Sequence, residues 1–237
     1  MSQSRCLYLV TYRPLAITLH GRKAIIRYGI SPFVDGSIRR EPDLESDPPT
    51  ISALCRGRNF APRLQVGDRV VYFTVKHRWS PDLPAHRRLT AVLRISKKFD
   101  THLDAANWFR DEGLPLPSNC LVPENQPKPL SQSSGLKPLP PCGKRRQGYR
   151  DWDRRYLVRT RKHGSFLVCE PLFIDISWSA PVVMDDDFRR ALGRIPPTRN
   201  PCSHPESDVD KLLLSLGVSV ILDWRRRASL RRLGNPG

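Results

Sequence analysis

The stretch Val66-Gly67-Asp68 running into Arg69-Val70-Val71-Tyr72-Phe73-Thr74-Val75 restricts the fold more than any other part of the chain. A Gly-Asp turn that feeds a run of β-branched and aromatic residues reads as the entry to a buried strand, and such a strand needs a sheet around it. Leu7–Val10 and Ala24–Tyr28 read as short strands before it. Thr90–Ser96 follows as another, with Ala91, Leu93 and Ile95 alternating against Val92, Arg94 and Ser96. Asp100 or Thr101 then opens a helix, Thr101 with Asp104 three residues on resembling a capping box; Leu103, Ala106 and Trp108 or Phe109 supply an apolar helix face, and Gly113 with Pro115 a stop. Later in the chain, Tyr156–Val158, Ser165–Val168 and Leu172–Ile176 read as strands. Asp185–Leu192, Ser207–Leu216 and a basic Leu222–Leu233 read as helices. The expected class is α+β.

Charge and proline divide the chain more clearly than hydropathy does. Residues 1–27 hold basic side chains and no acidic ones, whereas Glu41, Asp43, Glu45 and Asp47 make the next stretch acidic. From Leu114 to Gly148 prolines recur among Ser131, Ser133, Ser134 and Gly135, a composition of linkers and long loops. The expected organisation is therefore a β-rich core over 1–113, a proline-rich linker or long loop over 114–148, and a basic α+β portion over 149–237 that completes or extends the core. Hydrophobic residues are only 39% of the chain, so part of its length should lie outside the core.

Over 237 residues, 40 Lys and Arg face 23 Asp and Glu, a formal charge of +17. Self-repulsion of that size favours an anionic partner, and nucleic acid, DNA or RNA, is the expected one. The apolar stretch Leu212–Leu222 is interrupted by Ser215, Gly217 and Ser219, and the N-terminus has no signal-peptide block, so a cytoplasmic protein without a membrane partner is expected. Six scattered cysteines without a CxxC pair read as free thiols. No cofactor is expected: the chain has no Walker lysine loop, no G-x-G-x-x-G and no H-E-x-x-H. Composition leaves the oligomeric state open.

Three segments taken together, Arg27-Tyr28-Gly29-Ile30-Ser31-Pro32-Phe33, Ile51-Ser52-Ala53-Leu54-Cys55-Arg56 and Val66-Gly67-Asp68-Arg69-Val70-Val71, resemble the PUA-like superfamily of ASCH, EVE and YTH domains. Within it the chain looks most like the bacterial nucleotide-modification-associated domains. The resemblance covers roughly residues 5–112 and returns at 156–176. It implies a small curved sheet or open β-barrel with flanking helices, here with a basic C-terminal extension, that binds nucleic acid and reads a modified or flipped base in a pocket.

Such a pocket needs flat aromatic walls and a few short polar groups at the base edge. Phe33, Phe60 and Trp79 are the candidate walls, with Ser31, Asn59, Thr74 and His77 as polar partners. Arg56 and Arg58 are candidate phosphate ligands beside it. Lys144, Arg145, Arg146, Arg150, Arg154 and Arg155 interleave with Tyr149, Trp152 and Tyr156, a combination suited to phosphate contact with stacking, and Arg225, Arg226 and Arg227 form a second cluster.

The reading is non-catalytic nucleic-acid binding. An enzyme is the first alternative, a small metal-dependent nuclease or nucleic-acid-modifying enzyme of a mobile element or defence system. Asp185-Asp186-Asp187 would then hold the metal, although a consecutive triplet suits a helix start better than a metal site. Cys202-Ser203-His204 with Cys6, Cys55 or Cys169 offers Cys–His chemistry whose spatial pairing the sequence leaves open. A protein that docks by charge on an acidic partner is the third class.

Overall fold

A computed structural model describes residues 7–135, 149–197 and 201–218. Its centre is the strand announced by the Gly67-Asp68 turn, β3 (Arg69–Thr74). Gly67 takes a positive φ of 95°, and the Asp68 carboxylate accepts from Gln65 N at 2.9 Å, closing the turn. β1 (Leu7–Tyr12) runs parallel to β3 on one side and β4 (Arg87–Phe99) antiparallel on the other. Beyond β4 lie β5 (Phe166–Ile174) and then β2 (Thr50–Ser52); β7 (Cys202–His204) closes the other edge against β1, and β6 (Val182–Val183) pairs with the start of β4. The sheet is mixed and curled, and the protein is α+β.

Period-2 alternation along β1 and β3 sorts the core into two faces. Val10, Tyr12, Val70 and Tyr72 join Leu93, Ile95, Leu167 and Phe60 on one. Leu7, Leu9, Val71 and Phe73 join Val92 on the other, where α4 (Asp185–Leu192) and α5 (Glu206–Ser215) cover them through Phe188, Val209, Leu212 and Leu213. α2 (His102–Asp111) is opened as its sequence indicates, with Thr101 Oγ1 accepting from Asp104 N at 3.0 Å, and packs Ala105, Ala106 and Phe109 on Phe166 and Val168 of β5.

Three expectations are overturned. Ala24–Tyr28 is the second half of a helix, α1 (Leu19–Tyr28), because Thr18 Oγ1 caps it by accepting from Gly21 N and Gly29, at φ 63°, ends it in the left-handed region. Tyr156–Val158 is helical too, within α3 (Tyr149–Lys162), which buries Tyr156 with Ile38, Leu54 and Leu121 and is held by long-range ties. Asp153 takes a bidentate pair from Arg39 at 2.7 and 3.0 Å, and Arg159 donates to Leu54 O at 2.7 Å. The two expected strands on either side of Pro171 are one strand, β5, because its register against β4 shifts between Val92 and Leu93, and Leu93 faces the proline.

The described half of the proline-rich stretch, 114–135, is packed against the core. Ser118 donates twice to Asp43, and Asn119 bonds Thr50 and Glu41. Residues 136–148 and the expected helix Leu222–Leu233 lie outside the described residues. Among the described residues no helix is long and apolar enough to cross a membrane.

Candidate binding cavity

On the sheet face that carries Tyr12 and Tyr72 a cavity of about 670 Å³ opens between β1, the loop 35–41, the turn after β2, α3 and the 133–135 segment. Its aromatic walls are Tyr12, Tyr72, Phe60 and Tyr156. Tyr12 and Tyr72 sit on neighbouring strands with ring centroids 6.0 Å apart and edge-on, and the Tyr12 hydroxyl donates to Phe33 O. Burial holds Tyr12, Tyr72 and Tyr156 in the phenol form, their titration pushed above the usual tyrosine range.

The polar wall comes from a loop with no regular structure. Asp35 Oδ1 accepts from the amide and hydroxyl of Ser37. Glu41 accepts from Ser52 N at 2.9 and 3.1 Å, from the Ser52 hydroxyl, and from Asn119 Nδ2 at 3.2 Å. Burial outweighs these donors and pushes Glu41 up to about 8, with neighbouring Asp35 adding in the same direction. Asp35 is raised likewise, by burial first. Both carboxyls are thereby shifted toward the neutral acid, which can donate as well as accept.

Arg40 fastens this loop from behind: fully buried, it donates to Asp35 O, Ser37 O and Gln132 O at 2.8, 2.9 and 2.8 Å and pairs with Glu45. The 133–135 segment closes over it through Ser134 N donating to Gly36 O at 2.8 Å and Thr18 Oγ1 donating to Ser134 O at 2.8 Å. Gly36 is required by that approach, since a Cβ there would lie 2.0 Å from Ser134 Oγ. Cys55 retains accessible surface yet is ringed by protein, because the space it faces is this cavity; burial and the two carboxyls raise its thiol well above the ordinary range. Arg56 donates to Thr11 O and lies over the Phe60 ring at 6.0 Å.

Of the base-pocket and phosphate candidates whose side chains are described, Phe60 and Arg56 line this cavity, while Ser31, Phe33, Arg58, Asn59, Thr74, His77 and Trp79 do not; Cys55 and Tyr156, singled out from sequence for other roles, line it as well. Phe33 is wholly buried, its ring edge-on to Trp79 and Trp178 at 5.4 and 5.2 Å. Thr74 Oγ1 is engaged by Arg88 N at 2.9 Å. Ser31 is half-buried beside Phe33, and Asn59 and Arg58 are exposed on the turn before Phe60. Trp79 meets His77 edge-on with centroids 4.7 Å apart and lines a second groove of about 740 Å³ with Arg22, Ile25, Ile26, Arg78, Pro81 and Trp178.

Arg150, Arg154 and Arg155 lie on α3, the helix that contributes Tyr156 to the cavity. Lys144, Arg145, Arg146 and Arg225, Arg226, Arg227 lie outside the described residues. Sequence reasoning missed Tyr12, Asp35, Glu41, Ser52 and Tyr72, and it named Tyr156 only as a stacking aromatic of the basic segment. The local signal it held was the placement of Tyr12 and Tyr72 in phase with Val10 and Val70.

The acidic triplet is engaged in holding α4. Asp185 pairs with Lys76 and Arg87, both at 2.6 Å, and the Lys76 ammonium foremost holds its carboxyl below the usual range. Asp186 pairs with Arg189 at 2.7 Å, and Asp187 accepts from Met184 N at 2.8 Å as the helix cap. Cys202 Sγ and His204 Nε2 are 3.0 Å apart on edge strand β7. Comparison of the chain with protein-family models, curated proteins and solved structures finds no match.

Proposed function

We propose that the protein is a non-catalytic nucleic-acid-binding protein that takes a single modified or flipped base into the Tyr12–Tyr72–Phe60–Tyr156 cavity. The observation that carries this reading is the cavity itself: aromatic walls from four separate parts of the chain enclose Glu41, Asp35 and Ser52. Small-molecule sites typically span about 300–1,000 Å³, apolar with a few convergent polar groups, and a base fits that description. A carboxyl shifted toward the neutral acid, as burial shifts Glu41, suits a base edge, because it exchanges hydrogen bonds with less buried charge to desolvate.

A formal charge of +17 supplies the sequence-independent attraction to phosphate. The curled sheet with its helices is compatible with the PUA-like resemblance, which supports the same reading.

Filling the cavity tests it. Cys55→Phe places a ring in the space at a position that already has accessible surface. Binding is measured on matched DNA and RNA oligonucleotides, plain, methylated or carrying an extruded mismatched base, across a salt series. Stacking is worth about 1–3 kcal/mol per base, so the native protein should prefer one extruded or modified form by about 5- to 150-fold. The variant should lose that preference and keep its salt dependence. A preference untouched by the plug, or no nucleic-acid binding by the native protein, overturns the reading.

A further inference from the structure

We propose that the Trp79–Trp178 groove is a second stacking site for the base next along the same single strand, with the intervening phosphodiester held by Arg13, His77 and Arg22. This rests on the base-cavity reading above and assigns the groove a role that the reading does not. The two spaces are neighbours. Ile17 and Val75 line the cavity on one side and pack with Phe33, Trp79 and Ile25 on the other, so one layer of side chains separates them.

The groove presents a fixed apolar surface to solvent. Trp178 is 50% exposed and Ile26 85%, while Trp79 is 8% exposed and forms the floor. Phe33 meets both indoles edge-on, which sets their planes before any ligand arrives. A rigid, half-exposed indole beside aliphatic side chains is a sequence-tolerant seat for a base.

Charge argues for a nucleotide rather than an apolar peptide. Arg13, Arg22 and Arg78 have no carboxylate partner among the described residues. Arg22 is aimed by its own bond to Ala16 O at 2.9 Å, which brings Nη2 to 3.5 Å from His77 Nε2. Arg78 is aimed by a bond to Pro81 O at 2.8 Å. Arg13 and Arg22 both act on His77, which burial and then these two guanidiniums shift below the ordinary histidine range. Arg13 is also a cavity residue, so the uncompensated cations run from one space to the other. Asp175, close to Trp178 in the chain, is engaged by Ser177 and Ser179. A phosphodiester joining two seated bases supplies the anion this ridge lacks.

The test is a comparison by ligand length. The native protein, Trp178→Ala, Ile26→Glu and Cys55→Phe are titrated with nucleoside 5′-monophosphates, common and methylated, and with mixed-sequence single-stranded DNA and RNA hexamers. Ile26→Glu changes only an exposed helix position, so it reports on the groove even if Trp178→Ala disturbs Phe33.

Loss of one stacked base should weaken hexamer binding by about 5- to 150-fold in both groove variants and leave monophosphate binding unchanged. Cys55→Phe, which plugs the cavity both ligands use, should weaken binding of the monophosphate and of the hexamer alike. If the plug works but both groove variants bind the hexamer as the native protein does, the groove assignment falls and the cavity stands. If the native protein binds neither ligand, both fall. Preference of the groove for an acidic peptide over the hexamer also overturns it.

Discussion

Glu41 shows how one residue links the cavity to the stability of the whole chain. Its carboxyl is buried, and its titration is pushed from 4.5 up to about 8 by that burial. Between those two values the folded state holds a proton that the unfolded chain has released, so stability falls as pH rises through the interval. The contribution is complete below about pH 4.5 and gone above about pH 8. Thermal denaturation across pH 5 to 9 should therefore show a decline that Glu41→Gln flattens, since the amide cannot ionise. Parallel curves for the two proteins would show that Glu41 is not the titrating group. The same site explains why sequence reading passed over it: Glu41 and Asp43 sit in a run of acidic residues that looks solvated. Their burial is created by Ser52, Asn119 and Ser118, which arrive from other parts of the chain.

At the level of elements, legibility follows how local the determining interaction is. β1, β3, β4, α2, α4 and α5 carry their own alternation, caps or turns, and their sequences announce them. α1 does not, because Ala24–Tyr28 is too short to separate a helical period from a strand, and the deciding groups are Thr18 and Gly29 at its ends. α3 has few apolar residues, and what holds it comes from distant sequence: the bonds to Arg39 and Leu54 and the packing of Tyr156 on Ile38 and Leu121. Phe60 and Arg56 were legible as site residues because they lie on one short aromatic and basic turn, whereas the other walls meet only in the folded chain. Thr18 is the sharpest test at this scale, as its hydroxyl both caps α1 and donates to Ser134 O across the cavity's cover. Thr18→Ala should cost about 1–2 kcal/mol in chemical denaturation. Replacement by Ser, which retains the oxygen, should recover most of it. A loss under about 0.3 kcal/mol would mean that α1 is held by packing alone.

For the whole molecule, a net charge of +17 gives folding and binding opposite responses to salt. Self-repulsion among the excess cations weakens the compact state, and ions screen it, so the melting temperature should rise between roughly 0.01 and 0.15 M salt as the Debye length contracts from about 30 to 8 Å. The pairs Arg39–Asp153 and Arg40–Glu45, each with its guanidinium buried and its carboxylate partly exposed, are only partly screened and should not reverse the trend. Affinity for nucleic acid should fall over the same range, because each phosphate contact releases condensed counterions as it forms. The slope of log affinity against log salt then counts contacts, and Arg22→Gln removes one of those proposed. On a single strand it should make the slope shallower by about 0.7, while leaving the rise in melting temperature nearly intact, since one charge among so many alters self-repulsion little. An unchanged slope would remove Arg22 from the phosphate path. A melting temperature that drops with salt would show that attractive pairs, not the surplus, govern the folded state, and that the charge is already compensated within the molecule.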